Sequence, residues 1–174
     1  NIICRGFFMK KIKLYSGIYL IKERFLKNQI YYFLETPKIS VIIPQIKNKF
    51  LVISQKRIPI KKKTYEFPGG LIDKGDSAVK SAIKELYEET GYISLSKPKK
   101  ILRLYPDPGR LKSEYICFII KKIKKIKIPE KGIELHLLTK NQIINLIKLQ
   151  KFSHACHISA FLYYINQNKY LSDK

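Results

Sequence analysis

The feature that most restricts this chain is a change of rhythm across residues 65–90. Tyr65-Glu66-Phe67 reads as strand, and Pro68-Gly69-Gly70 is punctuation too sharp for a helix to pass through. From Asp76 to about Thr90 the apolar residues then recur at helical spacing. At about 100° per residue, Ala82, Leu86, Val79, Ile83 and Tyr87 share one stripe that a fold must bury, while Glu85, Glu88 and Glu89 converge within roughly 100° on the opposite side.

That crowding is unfavourable in itself. Like charges three and four residues apart cost an isolated helix a few tenths of a kcal/mol, and acids near a helix C-terminus oppose its dipole. The chain holds only 13 Asp and Glu against 35 Lys and Arg, yet three of those acids fall within two turns. Local violations of this kind mark functional sites. A hard divalent cation would resolve the conflict, because carboxylate oxygens are the ligands Mg²⁺ prefers and phosphate oxygens and water complete its shell. A solvated acidic face answered by nearby lysines is the alternative that the cluster alone leaves open. Gly69-Gly70 weighs toward the first reading, since a strand, a glycine turn and a helix with carboxylates facing the turn make a pocket for phosphate and metal. Asp76 also suits a helix N-cap.

Elsewhere, β-rich runs cover residues 13–21, 30–34, 39–43 and 50–54, with Pro37, Pro44 and Asn48 as breakers between them. Further strands are expected at 101–104, 115–120 and 133–138. Loops are expected at 105–110, over the basic stretch 121–127 and at 129–132. Helices are expected at 140–148 and 153–165. With 174 residues, 45% of them apolar, and no repeat or flexible linker, one catalytic domain with a small N-terminal β extension is expected.

The net charge of +22 suggests an anionic partner. The bases are almost all lysine and dispersed, which reads mainly as solvated faces and anion steering. Scarce arginine and the lack of a motif combining aromatic and basic residues argue against nucleic acid. No apolar run approaches the roughly 20 residues that a helical membrane span needs, so no membrane partner is expected. Cys4, Cys117 and Cys156 are odd in number and widely spaced, which fits neither a disulfide framework nor a zinc ribbon and points to a cytoplasmic setting. Met9 is the only methionine and the chain opens with Asn1, so either upstream read-through over residues 1–8 or a truncated sequence is expected.

At the glycine turn and its helix the chain resembles the Nudix family. The family's box is G-x5-E-x7-R-E-U-x-E-E-x-G-U, with U aliphatic, and its spacing is intact from Gly70 through Asp76, Lys84, Glu85, Leu86, Glu88, Glu89 and Gly91 to Tyr92. Asp76 stands for Glu, Lys84 for Arg, and Tyr92 is not aliphatic. Gln55, Arg57, the Tyr65–Gly70 run, Tyr105-Pro106-Asp107-Pro108-Gly109 and Glu114 are similar to the ADP-ribose pyrophosphatase subgroup, with the downstream proline as its marker.

The resemblance implies an α+β fold, the Nudix α/β/α sandwich with a mixed central sheet. Residues 1–36 would form the N-terminal β extension and 37–174 the Nudix domain. It implies a Mg²⁺ cofactor, with Mn²⁺ as an alternative, bound by Glu85, Glu89 and the Gly69 carbonyl. Glu88 would be a further ligand or orient water. Arg57, Glu66 and Gly70 would bind substrate, Arg57 through phosphate and Glu66 through the nucleotide end. Glu130 or Glu114 would activate the attacking water. Lys84 would pair with a neighbouring box carboxylate. The implied substrate is ADP-ribose or a related nucleoside diphosphate sugar, cleaved by a homodimer joined through the β extension. Oxidised nucleotides or capped RNA, and a binding module without turnover, are the competing readings. His154, Cys156 and His157 read as structural, His136 is expected to point outward, Tyr163 and Tyr164 to pack or to lie on a dimer surface, and no GxSxG nucleophile elbow occurs.

Overall fold

The structure, a computed structural model, describes residues 9–25 and 29–170; Cys4 and the expected upstream segment 1–8 lie outside the described residues. Its centre is a parallel pair, β4 (Ile39–Ile46) and β11 (Tyr115–Ile120), registered from Tyr115 opposite Ile39 to Ile120 opposite Pro44. Both strands are nearly continuous apolar runs, as strands covered on both faces must be. Alternation divides their side chains. Val41, Ile43, Cys117 and Ile119 join one buried cluster, and Ile42, Ile116, Phe118 and Ile120 join another.

Helix α1 (Ala78–Thr90) fills the second cluster with Ala82 and Leu86. Helices α2 (Lys140–Lys148) and α3 (Ala155–Tyr170) fill the first, with Ile143, Ala160 and Phe161. The result is the expected α/β/α sandwich. Around the central pair, β5 (Lys49–Arg57), β13 (Glu134–Thr139) and β9 (Lys99–Leu104) give the sheet order β13-β5-β4-β11-β9. Two short strands complete it: β6 (Lys62–Glu66) on β5 and β7 (Gly69–Leu71) on β4. The N-terminal strands β1 (Met9–Tyr15), β2 (Ile18–Phe25) and β3 (Gln29–Glu35) form a separate sheet, closed by β10 (Leu111–Lys112) in parallel with β3.

Several local expectations change. The run at 13–21 is two strands, because Gly17, at φ 71°, turns the chain between Tyr15 and Ile18 in a two-residue hairpin. Pro44 does not end its strand; it sits at the last parallel pair, where a missing N–H is tolerated. Ser77 caps α1 by accepting from the Lys80 amide, while Asp76 instead pairs with Lys80 at 2.6 Å. Tyr87 leaves the buried stripe and lies exposed under the Lys127 ammonium. Part of the basic stretch is strand: β12 (Ile123–Lys125) pairs with β8 (Tyr92–Ser94).

This ribbon is fastened to the end of α1 at Gly91. The glycine has φ 74°, closes the helix by donating to Tyr87 O, and accepts from Ile126 N–H at 2.9 Å. A Cβ there would lie 2.1 Å from the Lys127 carbonyl oxygen. Gly91→Ala therefore combines left-handed strain with a backbone clash, and urea unfolding is expected to show a loss of about 2 kcal/mol or more.

Candidate active site

The Phe67–Gly70 turn is built by packing and by backbone contacts on both sides of the sheet. The Phe67 ring sits between Phe152 and Phe161, with centroids 5.3 and 5.7 Å away. Its amide donates to His157 Nδ1 at 3.1 Å. The Pro68 carbonyl accepts from Ile42 N–H at 2.9 Å, and Gly69 N–H donates to Glu89 Oε2 at 2.9 Å. Gly69 is required by the neighbouring backbone, and Gly70 leaves room for the Glu85 carboxylate. A Cβ on Gly69 would come within 2.5 Å of the Ser40 carbonyl oxygen, and one on Gly70 within 2.2 Å of Glu85 Oε1. The helix carboxylates lie directly against the backbone of the turn.

The three glutamates occupy different environments. Glu89 is buried, and its pKa is pushed up to about 8, chiefly by that burial, against the Gly69 N–H and with the nearby Glu85 charge adding to it. Glu85 is partly buried, and its pKa is raised by desolvation first and then by Glu88. Glu88 is exposed and lines a groove with Lys127 and Glu130. Six other acids (Glu35, Glu66, Asp73, Asp76, Glu114 and Glu134) are ion-paired to lysine or arginine. Among the described residues Glu85, Glu88 and Glu89 have no such pair. Lys84 pairs at 2.9 Å with Asp73, which stands at an unspecified position of the box between Gly70 and Asp76.

Among the described residues no three acidic, histidine or cysteine side chains are already grouped as metal ligands. The donor set nonetheless fits a hard divalent ion: oxygen ligands, no ion pair to them among the described residues, and a glycine cradle that a Cβ would fill.

Beside the turn lies a cavity of about 420 Å³, lined by Arg57, Glu66, Gly70, Tyr115, His154 and His157 among others. Arg57 grips Glu66 with two bonds, Nε to Oε1 at 2.9 Å and NH2 to Oε2 at 2.5 Å, and Thr64 also donates to Glu66. Burial pushes the Glu66 pKa up, but these bonds outweigh it and hold the carboxylate ionised. The guanidinium keeps further N–H groups for an anion.

The structure separates the two water-activating candidates. Glu130 shares the groove of Glu88, whereas Glu114 lies in a different recess, 3.3 Å from Lys38 and 3.7 Å from Arg103. His136 does not point outward: it bonds to Ser54 Oγ at 2.8 Å and packs on Tyr65. Tyr164 packs on Phe50 and bonds to Gln45, while Tyr163 is exposed. Sequence reasoning missed Thr64, Tyr115 and the histidine pair as parts of this site. Thr64 sits at alternate spacing to Glu66 on one strand, a legible signal. For His154 and His157, far along the chain, none was present.

A model of the NUDIX domain family matches residues 35–154. An ADP-ribose pyrophosphatase of Methanocaldococcus jannaschii is 32% identical over 101 residues, covering 58% of this chain and 57% of its own length. An ADP-ribose pyrophosphatase of Bacillus subtilis is 34% identical over 71 residues, covering 41% of this chain and 38% of its own. The chain thus spans roughly half the length of the curated relatives it matches. Among solved structures, the crystal structure of an ADP compounds hydrolase superposes with a TM-score of 0.78 at 16% identity, covering 94% of each chain, a likeness of fold.

The buried acid gives a pH test in chelator-treated protein. Below about pH 4.5 Glu89 is protonated in the folded and unfolded chain alike. Between there and about 8 only the unfolded chain releases the proton, so stability is lost as pH rises through this window and levels off above it. Glu89→Gln keeps an acceptor for Gly69 N–H without the charge. Its stability advantage is expected to grow from nothing at the acid end to a few kcal/mol above pH 8, read by thermal unfolding across pH.

Proposed function

The chain belongs to the NUDIX family, and from that premise we propose that it is a Mg²⁺-dependent pyrophosphohydrolase of ADP-ribose or a related nucleoside diphosphate sugar, with Mn²⁺ able to replace Mg²⁺. One observation carries the reading. Glu85 and Glu89, which have no ion pair among the described residues, lie against the Gly69–Gly70 turn, and that turn lines a cavity together with Arg57. The names of the two relatives above support the substrate class.

In this reading Glu85, Glu89 and the Gly69 carbonyl hold the ion, which would neutralise diphosphate charge and acidify bound water. Arg57 takes a phosphate, Glu66 fixes Arg57 and reads the nucleotide end, and the Gly70 backbone lets the diphosphate approach closely. Glu88 orients the water. Glu130 removes its proton, a role that its shared groove with Glu88 favours over Glu114. The water oxygen bonds to one phosphorus as the bridging P–O bond breaks, and AMP and ribose phosphate leave. The exposed Leu14, Tyr15, Ile30 and Tyr32 of the N-terminal sheet suit a homodimer surface. No described helix is long and apolar enough to cross a membrane, and a cytoplasmic setting completes the reading.

A panel of ADP-ribose, GDP-mannose, 8-oxo-dGTP and 5′-triphosphate RNA with Mg²⁺, scored for AMP or phosphate release, tests the substrate. ADP-ribose turnover is expected, and turnover of the RNA alone would replace the substrate class. Glu89→Gln is expected to abolish turnover with folding retained. Glu130→Gln is expected to lower kcat by about 10²-fold or more, and Glu114→Gln by only a few-fold; the reverse pattern would move the base to Glu114.

A further inference from the structure

Successive backbone groups of the turn are tied to three different parts of the molecule. Phe67 N–H goes to His157 on α3, Pro68 C=O to Ile42 on the central strand, and Gly69 N–H to Glu89 on α1. The first tie is the unusual one. The register of β6 on β5 stops at Glu66 opposite Ile53, so the Phe67 amide lies just beyond the ladder. An unmet buried N–H is destabilising, and here an imidazole from a distant helix meets it.

His157 is built for that task. It is buried, and its ring stacks on His154 at 3.9 Å between centroids while Tyr115 meets it edge-on at 6.4 Å. Burial, with the positive charge of neighbouring groups adding to it, holds the pKa well below the usual histidine range, so the ring stays neutral. Accepting at Nδ1 then places the proton on Nε2.

We propose that His157 is a positioning residue for the carboxylate centre: by capturing the Phe67 amide it sets where Gly69 and Gly70 stand against Glu89 and Glu85. The inference rests on the reading that those glutamates gather a divalent cation. Gly69 stands only two residues after Phe67, whose amide His157 holds, so a lost anchor displaces the donor that orients Glu89. Groups that orient ligands in this indirect way change metal affinity by about 10- to 100-fold when removed.

The test is Mn²⁺ binding to the full chain, followed by the electron paramagnetic resonance of the free ion, alongside urea unfolding. His157→Leu removes the acceptor and is expected to weaken Mn²⁺ about tenfold or more, whereas His157→Asn, whose Oδ1 stands near the Nδ1 position, stays within about threefold of the parent. Ile143→Ala, cut into the same core from α2, loses stability without losing affinity. Turnover lost in His157→Leu returns as Mg²⁺ is raised. Parent-like affinity in His157→Leu, or an equal loss in Ile143→Ala, overturns the proposal. Should His157→Leu not fold, His157→Gln, with its acceptor one bond further out, is expected to bind more weakly than His157→Asn, and equal affinity in the two overturns it. A parent chain that fails to bind Mn²⁺ removes the metal reading itself, an outcome distinct from the others.

Discussion

The hydrogen bond from Gly69 N–H to Glu89 joins the last turn of α1 to the β6–β7 turn across the sheet edge, and much of the molecule is arranged around it. A carboxylate that is buried with one amide donor is poorly compensated, and its raised pKa measures that deficit. The neighbouring residues are chosen to allow the contact at all. At Gly69 a side chain would strike the central strand, and at Gly70 it would displace Glu85. Closeness to β4 at Gly69 and to the helix at Gly70, rather than the tightness of a turn, accounts for the pair.

The central pair of strands makes that nearness possible. Alternate residues of β4 and β11 feed the clusters under α1 and under α2 and α3, so both helical layers are referred to the same two strands. The turn follows β6 and enters β7, which pairs with β4 at Val41 opposite Gly69. Any shift of β4 would thus be felt together by the turn, by α1 and by the cavity at Ile39. One rigid ladder fixes the relation between the acidic helix and the Arg57–Glu66 pair, which sits at the end of β5 and β6.

How much of this the sequence discloses depends on how local the cause is. The segment from Gly70 to Tyr92, α2 and β11 were legible because their signal is residue spacing within one element, although the cap of α1 is Ser77 rather than Asp76. The β8–β12 ribbon was not, since its lysines read as loop until Gly91 and the Leu95 to Lys122 bond bring two distant segments side by side. His154 and His157 read as structural because nothing near them in sequence points to Phe67. Their contact exists only once α3 has packed against Phe67 through Phe161. Glu114 and Glu130 were indistinguishable in the sequence for the same reason, and different recesses part them in the fold.

The charge distribution carries the final step. With 35 basic residues against 13 acidic ones, most acids should find a cation by chance alone, and six outside this cluster do. Lys84 is adjacent in sequence to Glu85, yet it reaches away to Asp73. Lys127 shares the groove of Glu88 but lies over the Tyr87 ring. Both lysines are therefore engaged elsewhere, and among the described residues Glu85, Glu88 and Glu89 are left without an ion pair. An arrangement that denies three crowded carboxylates their cheapest partners stays costly until another cation enters, and a compact divalent ion bridging oxygens suits it better than a flexible ammonium. Under the proposed hydrolase reading, the surrounding lysines would act at longer range, raising the local concentration of an anionic substrate rather than quenching the acidic centre.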